Sequence, residues 1–343
     1  MRILFWLSRE KPGMSSRRRA RRLPSRRGCG TSLALEMLED RRVPSGVVGG
    51  PPLQDGIPPP PVLVLAEATD VTAASDGSTQ ILWHQAATAN VQTVRGSTVL
   101  SNSPLYGLSG WTAAATSVGQ DGLTRILWNN LDGAAGLVLL NANGTVNGST
   151  VFGPFAGWTA KDLAVGADGQ ARILWDSVTG QTVVWSVSNA FQVSSSPVFG
   201  PLQGWTAQSI AAGSDGKVSL LWDNTNGAAA VWVLNSDGSF NSAKVFGPVA
   251  GWTAQDMAVG SDGGTRILWT NAGGQAVIWD ITASAQIQSS PVYGGLAGWT
   301  ARRLDIGADN TIQLLWDNTD GTSAVWSLNS NGLLATAAVF GPS

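Results

Sequence analysis

The sequence predicts an all-β protein, a six-bladed β-propeller of four-stranded antiparallel blades, preceded by an expected disordered basic leader and a Pro-rich linker. Three observations carry this reading. A tandem repeat recurs about every 47 residues, turn signals divide each copy into four short strands, and the strands are apolar on both faces.

Tryptophan marks the repeat. A first Trp, in "GWTA", falls at Trp111, Trp158, Trp205, Trp252 and Trp299, each 47 residues after the last. A second, in "ILW" or "LLW", falls at Trp83, Trp128, Trp175, Trp222, Trp269 and Trp316, and a third at Trp185, Trp232, Trp279 and Trp326. Of the 16 Trp, only Trp6 lies outside these positions. The second Trp counts six copies, 66–110, 111–157, 158–204, 205–251, 252–298 and 299–343, within a body spanning 62–343. An open stack, or two units of three copies, is the alternative; a trefoil has shorter units and three of them.

Turn residues set the strand number. In the fourth copy Gly216 follows "SD", Gly227 follows "TN" and Gly238 follows "SD", at 11-residue spacing. Asp-Gly and Asn-Gly supply the positive φ of tight reversals between antiparallel strands. The strands between them read "AQSIAAGS", "KVSLLWDN", "AAVWVLN" and "SAKVFG". No segment of the body has a 3.6-residue apolar period, so no helix is expected. In "ARILWD", Ile173 and Trp175 point to one face and Leu174 to the other, so the sheet must be covered on both sides. Radiating blades do this, and Trp, burying roughly 150–250 Å² each, fills the wedge that widens outward between them. The small residues of "DLAVGAD" suit the crowded centre. At the seam of the ring Ala66 stands where a first-copy Trp would be, and the last copy stops at "VFGPS". Residues 62–65, "VLVL", are expected to cover that gap.

Composition narrows the function. Residues 1–46 hold 12 Lys/Arg against 4 Asp/Glu, whereas 47–343 hold 9 against 19. An acidic body repels phosphate backbones, which argues against nucleic acid as a partner of the propeller. Cys29 is alone, so neither a disulfide framework nor a thiolate metal site forms within the chain. His84 is the single His, which disfavours Ser-His-Asp, Cys-His and His-rich zinc chemistry. His84 replaces the Asp, Asn or Thr of the other copies and reads as variation at a turn. "DNTDG" lacks the register and the Glu of a calcium loop. Each carboxylate recurs once per copy, and none is expected to converge with others for acid-base catalysis. The expectation is therefore a non-enzyme with no catalytic residue, no metal and no cofactor. No stretch approaches the roughly 20 apolar residues of a membrane span. Residues 47–61, rich in Pro and Gly, read as a spacer.

"LALEMLEDRRVPSG", residues 33–46, resembles the LEPR-type N-terminal segment of exported bacterial proteins, although Asp40 precedes Arg41. The resemblance implies export, to the extracellular space or the cell surface.

The candidate ligand-binding residues are repeat-borne. Trp111, Trp158, Trp205, Trp252 and Trp299 end the crossover from one blade to the next, where a flat ring can stack on a sugar. Three residues before the second Trp the copies read Gln80, Arg125, Arg172, Ser219, Arg266 and Gln313, an odd set for a buried face. Either the Arg stems pack and their heads reach solvent, or Arg125, Arg172 and Arg266 contact a ligand. The period, with "TRILW" and "GWTA", resembles tachylectin-type and six-bladed fucose-binding propeller lectins. That resemblance implies sugar contacts at Trp111, Trp158, Trp252, Arg125, Arg172 and Arg266. Those lectins pair the Arg with a Glu on the next strand, and here the body's one Glu, Glu67, lies elsewhere. Two functions follow as expectations: multivalent carbohydrate binding by a monomeric ring, or a structural or protein-interaction module of the cell surface with its Trp buried between blades.

Overall fold

The computed structural model describes residues 66–107, 109–282 and 286–341. The leader, the linker and "VLVL" lie outside the described residues. Among those described there is no helix, and none long and apolar enough to cross a membrane. Six antiparallel sheets follow one another along the chain, each with its four strands in sequential order, and one accessory two-residue strand (Tyr293–Gly294) joins the fifth. In the fourth sheet the strands run Trp205–Ala212, Val218–Asn224, Ala229–Leu234 and Phe240–Phe246, joined by the Gly turns read from sequence. Each first strand packs beside the first strand of the next sheet, and Trp299–Ile306 of the sixth packs beside Glu67–Ala73 of the first. The ring is closed. The fold is a six-bladed β-propeller.

Alternation on the second strand builds the core. Ile173 and Trp175 pack with Leu127, Leu137 and Leu163 between blades two and three, while Leu174 packs with Ile210, Leu220 and Trp222 between blades three and four. The second Trp of every copy is buried, and in the last four blades the third Trp tilts against it with ring centroids 4.8–5.0 Å apart. In the first blade Gln92 stands opposite Ile81 instead, and its Oε1 accepts the indole N–H of Trp83.

The blades are not six equal copies. In the third and fifth the outer strand is only Val193–Ser195 and Ile287–Ser289. Beyond it the hydroxyls of Ser196 and Ser290 accept the N–H groups of Val184 and Ile278. The following even-numbered blade presses a turn glycine onto that serine, and a Cβ on Gly238 or Gly332 would lie 2.9 Å from the serine Cβ. Gly144 meets Ser103 of the first blade in the same way. Blades one and two, three and four, and five and six are therefore clasped in pairs, a two-copy period within the 47-residue one.

At the seam, Ala66 is buried with Trp83, Leu315, Val325 and Phe340. Closure is also polar. Asp305 of the sixth blade accepts hydrogen bonds from Thr72 Oγ1 at 3.0 Å and the Ala73 N–H at 2.9 Å in the first.

Candidate functional site

The sequence-predicted Trp and Arg sets occupy opposite faces of the ring. Trp158 opens the innermost strand of its blade and pairs with Ser177, whereas Arg172 pairs with Ala164, six residues on. The first strand is bulged between them, so the partner strand spans five residues, and at about 3.3 Å per residue the two are roughly 16 Å apart. The other blades repeat this register, so no composite Trp–Arg site forms.

On one face the crossover is a built turn. In "VFGPFAGWTA" the Phe155 N–H bonds to Gly133 O, the Trp158 N–H to Phe155 O, and the Val178 N–H to Gly157 O. Gly157 has φ +78°, which holds the chain in the left-handed region just before the Trp. Trp158 is thereby fixed with one side against the core between blades two and three and the other open; all five GWTA Trp are half-buried. Trp158 forms one wall of a 280 Å³ cleft whose other wall is Thr112 and the turn Asn129–Gly133 of blade two. Leu131 and Val178, 99% and 87% exposed, stand at its rim. Asn129 Oδ1 is buried in this wall and accepts no hydrogen bond among the described residues. The equivalent atom in the next even-numbered blade, Asp223 Oδ1, accepts the Ala254 N–H. His84 does the same in the first blade, its Nδ1 accepting the Ala113 N–H at 3.4 Å. The single His is thus a joint between blades, and burial holds its pKa below the usual imidazole value.

On the opposite face Arg125, Arg172 and Arg266 are 1–2% exposed. Arg125 and Arg266 bind Asp121 and Asp262 through two hydrogen bonds of 2.6–2.7 Å each, and Arg172 binds Asp168 at 2.6 Å. Arg125 also donates to Gly169 O and Asn189 Oδ1 in the next blade. The Arg125 hydrogen bonds hold Asp121 down to about 2. Stems and heads alike are packed, and the heads are spent on turn carboxylates.

The axis holds groups that the sequence reading missed. Asp70, Asp162 and Asp256, on the innermost strands of blades one, three and five, line a 170 Å³ central cavity. Arg303 of blade six reaches all three, its guanidinium nitrogens 4.0, 3.9 and 3.6 Å from them. Each carboxylate also accepts a backbone N–H from the next blade: Thr116 at 2.7 Å, Ile210 at 2.8 Å and Leu304 at 2.8 Å. Burial, partly offset by Arg303, pushes all three pKa values up, that of Asp256 to about 7. Arg303 is held charged against its own burial by the same three carboxylates. The expectation that once-per-copy carboxylates stay apart is therefore corrected: in a closed ring, one strand position repeated around the axis meets itself. The visible signal was Asp at this position in odd copies only. Among the described residues no group of His, Cys, Asp or Glu is arranged to hold a metal ion.

No protein-family model matches the chain, and no curated protein matches it. Solved structures match its fold. The AofleA protein from Arthrobotrys oligospora superposes with TM-score 0.60 at 9% identity, over 82% of this chain and 88% of its own. The SapL1 lectin, solved with α-methyl fucoside, gives 0.57 at 12% identity over 81% and 97%. A catalytically inactive virginiamycin B lyase from Staphylococcus aureus, solved with quinupristin, gives 0.52 at 14% identity over 80% and 85%. At such identities the likeness is one of fold alone. It overturns the non-enzyme expectation all the same. The same ring carries a lyase as well as a lectin, so a missing triad or carboxylate pair in the sequence does not exclude catalysis.

Proposed function

We infer that the protein binds carbohydrate in the clefts at its GWTA crossovers, with Trp158 as the stacking wall of the cleft between blades two and three. The observation that carries this is Trp158 itself, half-buried, packed against the core between blades two and three and lining an open cleft. Around it stand the hydroxyl and amide side chains of Thr112, Thr159, Asn129 and Asn130. An aromatic platform with a few convergent polar groups is how sugars are held: the ring's C–H face packs on the indole and its hydroxyls find amides. A lectin among the structures of like fold supports the reading at the level of architecture. Arg125, Arg172 and Arg266 serve the fold in this account, as turn clamps. Trp111, Trp205, Trp252 and Trp299 occupy equivalent crossovers, so weak sites on one ring add by avidity. Export, implied by residues 33–46, places such a ring among glycans, and detection of the protein in the medium of the source cells checks that part.

The test is a glycan array probed with the full chain, followed by the Trp158→Ala variant on the glycans that bind. Binding that weakens in the variant supports the assignment. An array with no bound glycan ends it.

A further inference from the structure

The charge around the Trp158 cleft is one-sided. Of its lining residues the only ionisable one is Asp132, exposed on the turn of blade two. Its Oδ1 accepts the Ala134 N–H at 2.9 Å, leaving Oδ2 facing solvent with no cation beside it among the described residues. The cations at the fourth position of the innermost strands on this face are committed elsewhere: Lys161 Nζ donates to Ala207 O at the following joint, and Arg302 pairs with Asp317 at 3.7 Å. The opposite face has no spare cation in its Arg either, since each is closed onto a turn Asp.

Resting on the carbohydrate reading above, we propose that this cleft selects by charge, taking neutral glycans, favouring those that carry a free amine and disfavouring uronic, sialylated and sulfated glycans. A carboxylate or sulfate entering the cleft meets Asp132 with no guanidinium or ammonium to receive it, and like charges in a partly desolvated cleft repel. An amine-bearing sugar instead gains the unspent Oδ2. An ion pair at such an exposed position is worth about 0.2–1 kcal/mol, so the preference for amine over hydroxyl is about 1.5- to 5-fold.

The experiment compares neutral, amine-bearing and acidic glycans on one array, using the full chain at pH 7 in low and high salt. Amine-bearing glycans bound more strongly than neutral ones, acidic ones more weakly, and both differences shrinking in high salt are expected. In Asp132→Asn, whose Oδ1 can still accept the Ala134 N–H, amine-bearing glycans lose their advantage over neutral ones and the bias against acidic glycans disappears. Acidic glycans among the strongest binders, or an amine preference unchanged in Asp132→Asn, overturn the charge selection and leave carbohydrate binding standing. No glycan bound at all overturns the carbohydrate reading itself.

Discussion

Replacing Arg303 with Met removes one guanidinium and strands three buried carboxylates. Asp70, Asp162 and Asp256 are 5–7% exposed, and Arg303 is the cation within 4.0 Å of each. Removing one partner of a buried ion pair costs about 3–5 kcal/mol, because the remaining charge has neither solvent nor partner. The folded-state pKa values here are raised above the unfolded value, so the folded form binds more protons. Its stability is greatest below the unfolded carboxylate pKa, about 3.9, and is lost as pH rises through the folded values, that of Asp256 being about 7. Without Arg303 the Asp256 value rises further, so the cost is smaller well below pH 7, where that carboxyl is protonated in wild type and variant alike, than at pH 8. At roughly 2–4 °C per kcal/mol, the pH 8 loss is about 6–20 °C in Tm. Urea denaturation of wild type and Arg303→Met at pH 4.5, 6 and 8 reads it. Equal destabilisation at all three pH values would refute the electrostatic account, leaving Arg303 as packing only.

His84 has the opposite sign. Its pKa is lowered, so its contribution is present above about pH 6.5 and lost as pH falls through the folded value; His84→Asn, which can still accept the Ala113 N–H, should flatten that part of the stability profile in a pH-dependent melt. Trp222, 1% exposed, should cost about 3–5 kcal/mol on replacement by Ala, read by urea denaturation, and no ligand contact with it. Arg172→Ala should lower stability and leave glycan binding unchanged, because its head is closed onto Asp168 on the far face; a loss of binding with stability intact would return Arg to the site.

The repeat was legible because it is written in Trp and Gly. A 47-residue period with four turn signals leaves little architecture other than a blade, and strands apolar on both faces leave little packing other than blade on blade. What stayed hidden depends on closure. Asp70, Asp162 and Asp256 are 92 and 94 residues apart, and only a closed ring sets them around one Arg. The Arg of "TRILW" and "ARILW" looks free in sequence because its partner, four residues before, is an Asp of the turn that precedes the strand. The partner of His84 likewise lies 29 residues on, across a blade joint.

A sugar platform at Trp158 is read by the indole N–H spectrum of the ¹⁵N-labelled full chain during titration with a sugar that binds on the array. Trp158→Phe assigns its resonance by the peak that vanishes. The account predicts a saturable shift of the Trp158 peak while the peak of buried Trp175 stays in place. Shifts confined to other indoles, or no saturable shift with any sugar, would contradict it.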